Sequence, residues 1–393
     1  MNKAILHTDI QNYIENHLKV NVEQLIFKGS PFEEVSVQEL ANQIVAKNKS
    51  EKKLPTWFQT KNIYYPPKLS IEQTSSEITA NYKSILIKGD SIIDITGGFG
   101  VDCLAFSKHF EKVTHCEINK ELSVIVSYNY KQLNIGNVDT VAEDGLEYLK
   151  RTSKTFDCIY VDPSRRNDAK GKVFLLSDCL PNVPENLDFL FTKSDTILIK
   201  NSPIFDITAA INELNFVKEI YVIAVKNEVK ELLFLLKKEY KGEIEVKTVN
   251  LLKNNNQEFY FLLNSNSEVK YLLPQNYIYE PNAAILKSGG FNEVANQLNV
   301  AKLHQHSHLY TSETLVKDFP GRVFKINAIY HYNKKSLKKH ITVTKANITT
   351  RNFPKTVAQI RKETKLKDGG DTYLFFTTNI NSELIVIDCE KNH

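Results

Sequence analysis

The spacing of hydrophobic and polar residues changes three times along the chain, and these changes predict four regions. In residues 1–65 apolar residues recur every three or four positions, which is typical of a small helical domain. In residues 66–264 short apolar runs alternate with helix-period segments, which is the pattern of a sheet covered by helices. Prolines and a Gly-Gly pair interrupt residues 265–320, which predicts a small α+β insert or linker domain. In residues 321–393 short strand patterns surround one helix, which predicts a further small α+β domain.

The alternating region predicts a Rossmann-like α/β fold, with a parallel or mostly parallel sheet of seven strands and helices on both faces. The predicted strands are 91–96, 112–117, 137–141, 156–162, 195–200, 219–225 and 257–263. The predicted helices are about 101–110, 120–133, 144–150, 173–192, 205–214 and 227–239, with one before the first strand at about 70–83. The C-terminal regions predict helices at about 291–298 and 354–365 and strands at 322–331, 340–345, 373–378 and 384–389.

A glycine-rich turn follows the first predicted strand. Asp94 stands at the end of the strand, and Gly97, Gly98 and Gly100 come before a helical pattern. Glycines let backbone N–H groups approach a ligand closely, and the first N–H groups of the helix point to the same place. In open α/β sheets cofactors bind in this crevice, so the turn predicts a cofactor site.

Four consecutive strands are each followed by an acidic residue at the same predicted edge of the sheet: Asp94, Glu117, Asp144 and Asp162. Glu117 would also suit a dehydrogenase, in which an acidic residue after the second strand binds the ribose of a dinucleotide. The fourth strand favours a class of enzyme other than the dehydrogenases, because Asp162-Pro-Ser-Arg-Arg166 follows it at this edge of the sheet. The simpler alternative for Glu117 and Asp144 is that both are solvated carboxylates at strand ends.

The overall composition is that of a soluble globular protein. Hydrophobic residues make up 42% and charged residues 24% of the 393 positions. No apolar run approaches 18 residues and no basic-then-apolar leader opens the chain, so we expect a cytoplasmic protein without a membrane span. The five cysteines form no C-x-x-C pair, which favours reduced and buried thiols.

Positive charge is concentrated towards the C-terminal end. Residues 321–393 contain 14 Lys and Arg against 6 Asp and Glu, a net charge of +8, whereas the whole chain carries +4. Lys338, Lys339, Arg351 and Arg361 are members of this set. A polyanionic partner such as a nucleic acid explains the cluster, and a solvated basic face is the simpler alternative.

Six motifs together resemble the class I S-adenosylmethionine-dependent methyltransferases. They are Asp94-Ile-Thr-Gly-Gly-Phe-Gly-Val-Asp102, Cys116-Glu-Ile-Asn119, Glu143-Asp144-Gly145, Asp162-Pro-Ser-Arg-Arg166, Tyr279-Glu-Pro-Asn-Ala283 and Lys367-Asp-Gly-Gly-Asp371. The set is most similar to bacterial members with an N-terminal helical region, a ferredoxin-like segment and a C-terminal THUMP-like domain. THUMP modules are RNA-binding accessories, so the resemblance implies RNA as the partner.

The resemblance also implies roles for individual residues. Asp94 and the glycine turn would surround the methionine part of S-adenosylmethionine, Glu117 would bind the ribose hydroxyls, and Asp144 would bind the adenine amino group. The cofactor-binding residues implied in this way are Asp94, Thr96, Gly97, Gly98, Gly100, Asp102, Glu117, Ile118, Asp144, Gly145 and Asp162. The sulfonium of the cofactor supplies the reactivity, and the protein supplies the alignment.

Asp162-Pro163 is the implied catalytic edge, and here the sequence departs from a better-known pattern. Related enzymes that methylate exocyclic amines of bases carry Asp/Asn-Pro-Pro-aromatic, whereas Ser164-Arg165 replaces Pro-aromatic here. Arg165 and Arg166 are candidates for positioning the substrate, because a guanidinium can stack on a base or hold a phosphate. Alternatively, one of these arginines pairs with a nearby Asp and only stiffens the loop.

Three further groups of polar residues are weaker candidates. Gln73, Ser75 and Ser76 either contact the methionine carboxylate or the substrate, or simply cap their own helix. Lys200, at the end of the fifth strand, faces the predicted cleft and is a candidate substrate contact. His304-Gln-His306-Ser-His308 has a spacing that can bind zinc, but no cysteine or carboxylate completes the set, so we expect surface histidines and no metal.

These residues together predict a cytoplasmic enzyme that methylates a nucleotide of ribosomal or transfer RNA with S-adenosylmethionine. Asp162 and the Pro163 carbonyl would orient the acceptor atom. The sequence leaves two alternatives. One is a small-molecule or protein methyltransferase, for which the basic C-terminal domain is incidental, and the other is a non-catalytic RNA-binding protein that retains the methyltransferase fold.

Overall fold

Helices form where the apolar residues of the first 84 positions recur at helical spacing. They span Thr8–Asn16, Val22–Lys28, Val37–Lys53, Pro55–Gln59, Lys68–Gln73 and Glu77–Ser84, after a 3-10 turn at Lys3–Leu6. The single helix predicted over 70–83 is wrong, because the chain is extended on both sides of residue 75. Ser76 accepts a hydrogen bond from the Thr79 N–H and so starts a second helix.

The computed structural model describes residues 1–165, 175–265, 267–333, 337 and 340–392. The chain divides into two units, Met1–Glu219 with Glu231–Gly242, and Ile220–Lys230 with Glu243–His393. No helix in the described ranges is long and apolar enough to cross a membrane. All five cysteines are free and buried.

Parallel strands form the core of the first unit, and the predicted α/β, Rossmann-like class is confirmed. The strands up to residue 237 are β1 (Ser91–Asp94), β2 (Lys112–Cys116), β3 (Val138–Val141), β4 (Cys158–Val161), β5 (Ser164–Arg165), β6 (Cys179–Leu180), β7 (Thr196–Asn201), β8 (Val217–Val225) and β9 (Glu228–Lys237). The helices between them are Val101–Phe106, Lys120–Gln132, Gly145–Arg151, Val183–Leu190 and Ile207–Glu213, with a 3-10 turn at Leu176–Asp178. Strands β7, β4, β1, β2 and β3 lie side by side in this order and are parallel, and β9 pairs with β7 in the antiparallel direction.

The strand order reverses between β1 and β4. Strands β2 and β3 continue on one side of β1, whereas β4 and β7 continue on the other. Ligands of open α/β sheets bind at such a switch point, outside the carboxyl ends of the strands. Asp94 ends β1 and pairs with His115 of β2 and Tyr160 of β4, and Asp162 directly follows β4. Asp94 and Asp162 therefore lie at the switch point.

Two of the predicted helices in this region are wrong in type or length. The segment 227–239 contains β9, whose residues 232–236 are all buried, so its apolar run lacks the alternation that marks a half-buried strand. Lys226-Asn227 has positive φ at both residues, 50° and 66°, as in a two-residue hairpin turn. The helix predicted at 173–192 is reduced to Val183–Leu190, because Asn182 caps it and Pro181 stands before the cap.

A mostly antiparallel sheet organises the second unit. The strands are β10 (Glu245–Leu251), β11 (Gln257–Leu262), β12 (Tyr277–Pro281), β13 (Ala301–Lys302), β14 (Tyr310–Ser312), β15 (Gly321–His331), β16 (Asn347–Arg351), β17 (Thr372–Thr378) and β18 (Leu384–Lys391), and the helices are Ala283–Ser288, Phe291–Gln297 and Val357–Thr364. Strands β10 and β11 pair with each other, and the other seven form one sheet in the order β13–β14–β12–β15–β18–β17–β16. The strand predicted at 340–345 lies instead at β16, because residues 347–351 pair with β17.

Candidate active site at the carboxyl edge of the parallel sheet

The glycine turn after β1 packs tightly against the side chains of His115 and Tyr130. Gly98 and Gly100 have positive φ values of 53° and 78°, which residues with side chains rarely adopt. A Cβ on Gly97 would clash with the His115 ring, and a Cβ on Gly100 would clash with the Tyr130 hydroxyl. His115 is fully buried, with its Nε2 3.2 Å from the Gly98 carbonyl oxygen, and burial lowers its pKa to about 4. The neutral imidazole therefore supports the turn from inside the core.

Asp94 connects the turn to β4 through Thr96. Its Oδ1 accepts hydrogen bonds from the Thr96 N–H (2.9 Å) and hydroxyl (3.1 Å), and the Thr96 Oγ1 accepts one from the Asp162 N–H (2.7 Å). Burial raises the pKa of Asp94 to about 7, although the hydrogen bonds from Thr96 act in the opposite direction. The Asp94 carboxyl can therefore change its charge near neutral pH.

Glu117 holds the glycine turn and its own loop through backbone groups. Its Oε2 accepts a hydrogen bond from the Gly98 N–H (2.9 Å), and its Oε1 accepts one from the Asn119 N–H (2.7 Å). Each carboxylate oxygen keeps a further lone pair for a ligand. The next residue, Ile118, is 69% exposed and offers an apolar contact beside this fixed carboxylate.

Asp144 is the N-cap of the helix after β3. Its Oδ1 accepts hydrogen bonds from the N–H groups of Leu146 (2.9 Å) and Glu147 (3.1 Å). Gly145 lies against Ile95, so that a Cβ there would clash with the Ile95 backbone. This close approach holds the start of the helix after β3 against the residue that follows β1.

Asp162 forms an ion pair with Lys200, which lies on β7. The Lys200 Nζ contacts the Asp162 Oδ2, and the two side chains are 12% (Lys200) and 32% (Asp162) exposed. Burial raises the pKa of Asp162, and the nearby Lys200 ammonium only partly opposes this effect. Burial also opposes the charge of Lys200, but the carboxylates of Asp162, Glu231 and Asp102 together raise its pKa above the ordinary value. Lys200 therefore stays protonated and cannot act as a base.

The segment after Asp162 forms a small sheet at the same edge. Pro163 is buried, and β5 pairs with β6 so that Ser164 lies opposite Leu180. Arg165 belongs to β5, and Arg166 lies outside the described residues. Leu180 is 52% exposed, so this edge presents apolar as well as charged groups.

A buried lysine that the sequence did not suggest lies in the core of the same unit. The Lys83 Nζ lies 3.0 Å from Asp102 Oδ1 and 2.5 Å from Glu231 Oε2, and it donates a hydrogen bond to Ser75 Oγ (2.9 Å). Asp102 Oδ2 accepts further hydrogen bonds from the Ser75 hydroxyl (2.8 Å) and the Tyr160 hydroxyl (3.0 Å). Lys83 is completely buried.

This cluster of Lys83, Asp102, Glu231, Ser75 and Tyr160 joins four elements of the first unit. Burial opposes the charge of Asp102, but the Lys83 and Lys200 ammonium groups keep its pKa below the ordinary value. Because two carboxylates share the Lys83 ammonium, the cluster carries a net negative charge. No local sequence signal identifies it, because Lys83 occupies a polar position of an amphipathic pattern and Glu231 lies 148 residues away.

The other predicted site residues are scattered. Gln73 is exposed at the end of its helix, and Ser76 caps the next helix. In the second unit Arg351 binds Glu280, and Arg361 binds Asp368 and two backbone carbonyl groups. Lys338 and Lys339 lie outside the described residues.

The three histidines of the 304–308 segment do not converge on one point. His308 stacks on Phe291 with 3.5 Å between ring centroids, and His304 Nδ1 lies 3.1 Å from Asn352 Nδ2. Within the described ranges, no group of three or more His, Cys, Asp or Glu side chains could hold a metal ion.

Three family models match the chain. Residues 50–219 match the family described as conserved hypothetical protein 95, residues 277–320 match a ferredoxin-like domain, and residues 321–391 match a THUMP domain-like family. A crystal structure of a "putative methyltransferase" from Porphyromonas gingivalis W83 matches the chain with a TM-score of 0.90 and 31% identity. The match covers 100% of this chain and 99% of that chain.

Two curated relatives match shorter segments. The ribosomal RNA small subunit methyltransferase D of Buchnera aphidicola is 33% identical over 100 residues, which are 25% of this chain and 50% of that protein. An uncharacterized RNA methyltransferase of Mycoplasma mobile is 30% identical over 77 residues, which are 20% of this chain and 21% of that protein. This chain therefore spans half or less of the length of the curated relatives it matches.

Proposed function

Because this chain belongs to the class I methyltransferases that carry a ferredoxin-like segment and a THUMP-like domain, we propose that it transfers the methyl group of S-adenosylmethionine to a nucleotide of ribosomal or transfer RNA. The observation that carries the proposal is the meeting of the glycine turn with Asp94, Glu117 and Asp162 around the switch point of the parallel sheet. The RNA methyltransferases among the partial relatives support RNA as the substrate. A cytoplasmic location is part of the same proposal.

The residues at the turn suit S-adenosylmethionine in shape and charge. The glycines leave room for a ligand to approach the backbone, and Asp94 can ionise to meet an ammonium group. Glu117 would hold the ribose hydroxyls beside the exposed Ile118, and Asp144 would hold the adenine amino group with the oxygen that does not cap the helix. When bound, S-adenosylmethionine supplies an electrophilic methyl group.

Asp162 would bind the group that accepts the methyl. Lys200 contacts Oδ2, which leaves Oδ1 without a partner among the described residues. This oxygen can accept a hydrogen bond from an N–H or O–H of the substrate and hold that group in line. Since burial raises the pKa of Asp162, its carboxylate is also a better proton acceptor than an exposed Asp.

Calorimetry and a turnover assay test the cofactor and the role of Asp162. We expect the purified protein to bind S-adenosylmethionine and its demethylated product, but not NAD. We expect Asp162→Asn to retain this binding and to lose about 100-fold or more in turnover. Absence of cofactor binding would refute the methyltransferase proposal, and full turnover of Asp162→Asn would refute the role of this residue.

Nucleoside analysis tests the substrate. Total RNA from cells without this gene is incubated with the enzyme and a labelled methyl donor, digested and compared by mass spectrometry with RNA from cells that carry the gene. We expect one methylated nucleoside to be absent from the cells without the gene and to be restored by the enzyme. Label that enters only protein or small molecules would exclude RNA as the substrate.

A further inference from the structure

The motif Tyr279-Glu-Pro-Asn-Ala283 has no part in the proposed methyl transfer, yet it contains a buried acid with two cationic partners. Glu280 lies in β12 of the second unit and is 4% exposed. Its Oε2 accepts hydrogen bonds from Arg322 Nε (2.7 Å) and Nη2. Its Oε1 accepts hydrogen bonds from Arg351 Nε (3.2 Å) and Nη2 (2.9 Å). One carboxylate thus fixes two guanidinium groups.

The two arginines come from different parts of the sheet. Arg322 lies directly opposite Glu280 on the neighbouring strand β15, whereas Arg351 ends β16, which is four strands from β12 in the sheet order. Four strand spacings correspond to roughly 19 Å on a flat sheet, so the sheet must curve for this pair to form. The ion pair between Arg351 and Glu280 is enough to hold β16 near β12, so the strands do not need a second arginine for this contact. The second guanidinium leaves the Glu280 cluster with a net charge of +1.

Both guanidinium groups keep donors that Glu280 does not use. A guanidinium has five N–H groups, and Glu280 accepts from the Nε and Nη2 atoms of each arginine. The Nη1 atoms of Arg322 and Arg351 have no partner among the described residues. The side chains are 40% and 34% exposed, so these donors are accessible from solvent.

The surroundings of Arg351 are also electropositive. Burial lowers the pKa of His308 to about 4, and the positive charges of Lys302 and Arg351 act in the same direction. Asn352, the residue after Arg351, lies beside His304. The Lys302 and Arg351 charges that act on His308 also make this face favourable for an anion.

We propose that Arg322 and Arg351, held by Glu280, form a clamp for a phosphodiester group of RNA. The two guanidiniums bind different oxygens of one carboxylate, so they are close enough for a single phosphate to accept hydrogen bonds from both. Guanidinium groups match the geometry of phosphate oxygens better than ammonium groups do. The proposal rests on the proposed function in taking RNA as the partner, but it concerns a site in the second unit.

The salt dependence of RNA binding tests the clamp. Fluorescence anisotropy with a labelled single-stranded oligouridylate gives the slope of log Kobs against log salt concentration for the full-length protein. We expect Arg322→Gln and Arg351→Gln each to reduce the slope by about 0.7, the value for one phosphate contact of a single strand. Because both arginines hold the same phosphate, the double variant should lose no more. Arg151→Gln, which removes an exposed arginine paired with Glu143 in the first unit, should keep the wild-type slope.

A purely structural role of the arginines gives a different result. In that case thermal stability falls while the salt slopes of the folded variants equal that of the wild type, and this outcome would overturn the clamp. If Arg351→Gln fails to fold because Glu280 Oε1 is left buried without a partner, the Glu280→Gln/Arg322→Gln/Arg351→Gln variant removes the carboxylate together with both guanidiniums, so that the cluster carries no charge. The same loss of slope is expected for it, and an unchanged slope would overturn the clamp.

The clamp and the proposed function can fail separately. RNA binding with a reduced slope in the arginine variants, but without methyl transfer to RNA, would refute the proposed function and support the clamp. Methyl transfer with unchanged slopes would refute the clamp alone. A wild-type protein that does not bind the oligonucleotide at low salt would also refute the clamp.

Discussion

Replacing Lys83 with methionine removes an ammonium group that two buried carboxylates share. The Lys83 Nζ lies 3.0 Å from Asp102 Oδ1 and 2.5 Å from Glu231 Oε2, and the side chain has no exposure to solvent. After the substitution, Asp102 still accepts hydrogen bonds from Ser75 and Tyr160. Glu231 has no such substitute among the described residues. The Glu231 carboxylate should therefore bear most of the loss.

Removing one partner of a buried ion pair costs about 3–5 kcal/mol, and we expect a loss of this size in the free energy of unfolding of the first unit.

Urea unfolding followed by tryptophan fluorescence measures this loss. Trp57 is the only tryptophan in the sequence and is buried in the first unit, so its signal reports on that unit. Lys108→Met is the control, because Lys108 is exposed and bonds only Asn81 among the described residues, and its effect should stay within about 0.5 kcal/mol. Adding Glu231→Gln to Lys83→Met should recover part of the loss. A loss below about 1 kcal/mol would refute this account of the cluster.

Two further substitutions test the glycine turn and its neighbours. Burial raises the pKa of Asp94 from 3.8 to about 7, so this group stabilises the folded state fully below about pH 4 and loses that contribution as pH rises through about 7. The free energy of unfolding, followed by Trp57 fluorescence, should therefore fall over this pH range in the wild type. The fall should be smaller in Asp94→Asn. Gly145→Ala should cost about 1–3 kcal/mol and weaken calorimetric S-adenosylmethionine binding, because its Cβ would meet the Ile95 backbone. Gly136→Ala, which has open space, is the control, and equal losses in both variants would contradict this explanation.

The parallel strands and the residues at their ends could be predicted because their signals are local. Strands β1 and β4 are short, mostly apolar runs, β1 ends in Asp94 and β4 is followed directly by Asp162, and the glycines after β1 require a turn. The carboxyl ends of neighbouring parallel strands share one edge. Asp94, Thr96 and Asp162 are therefore linked by hydrogen bonds in the structure, although Asp162 lies 66 residues from Thr96.

Strands β9 and β10 could not be predicted in the same way. Strand β9 is buried on both faces and rich in leucine, so neither periodicity nor propensity separates it from a buried helix. In β10 the polar residues Thr248 and Asn250 are buried, which breaks the alternation expected for a half-buried strand. In both cases the strand can be recognised only from the tertiary structure, because the elements that pack on each face of the strand determine which of its residues are buried.

Charged residues are the hardest to place from sequence, because ion pairing is a property of the folded chain. Lys83 and Arg361 are both charged residues of amphipathic helices, yet Lys83 is completely buried and Arg361 is occupied by Asp368 and two carbonyl groups. A count of basic residues therefore overstates the charge that the C-terminal domain offers to RNA. What matters is the number of N–H donors left after internal pairing, and Arg351 keeps such donors at Nη1 despite its bond to Glu280. The salt slope of RNA binding measures the result of this pairing directly, since it counts phosphates that are neutralised rather than cations that are present.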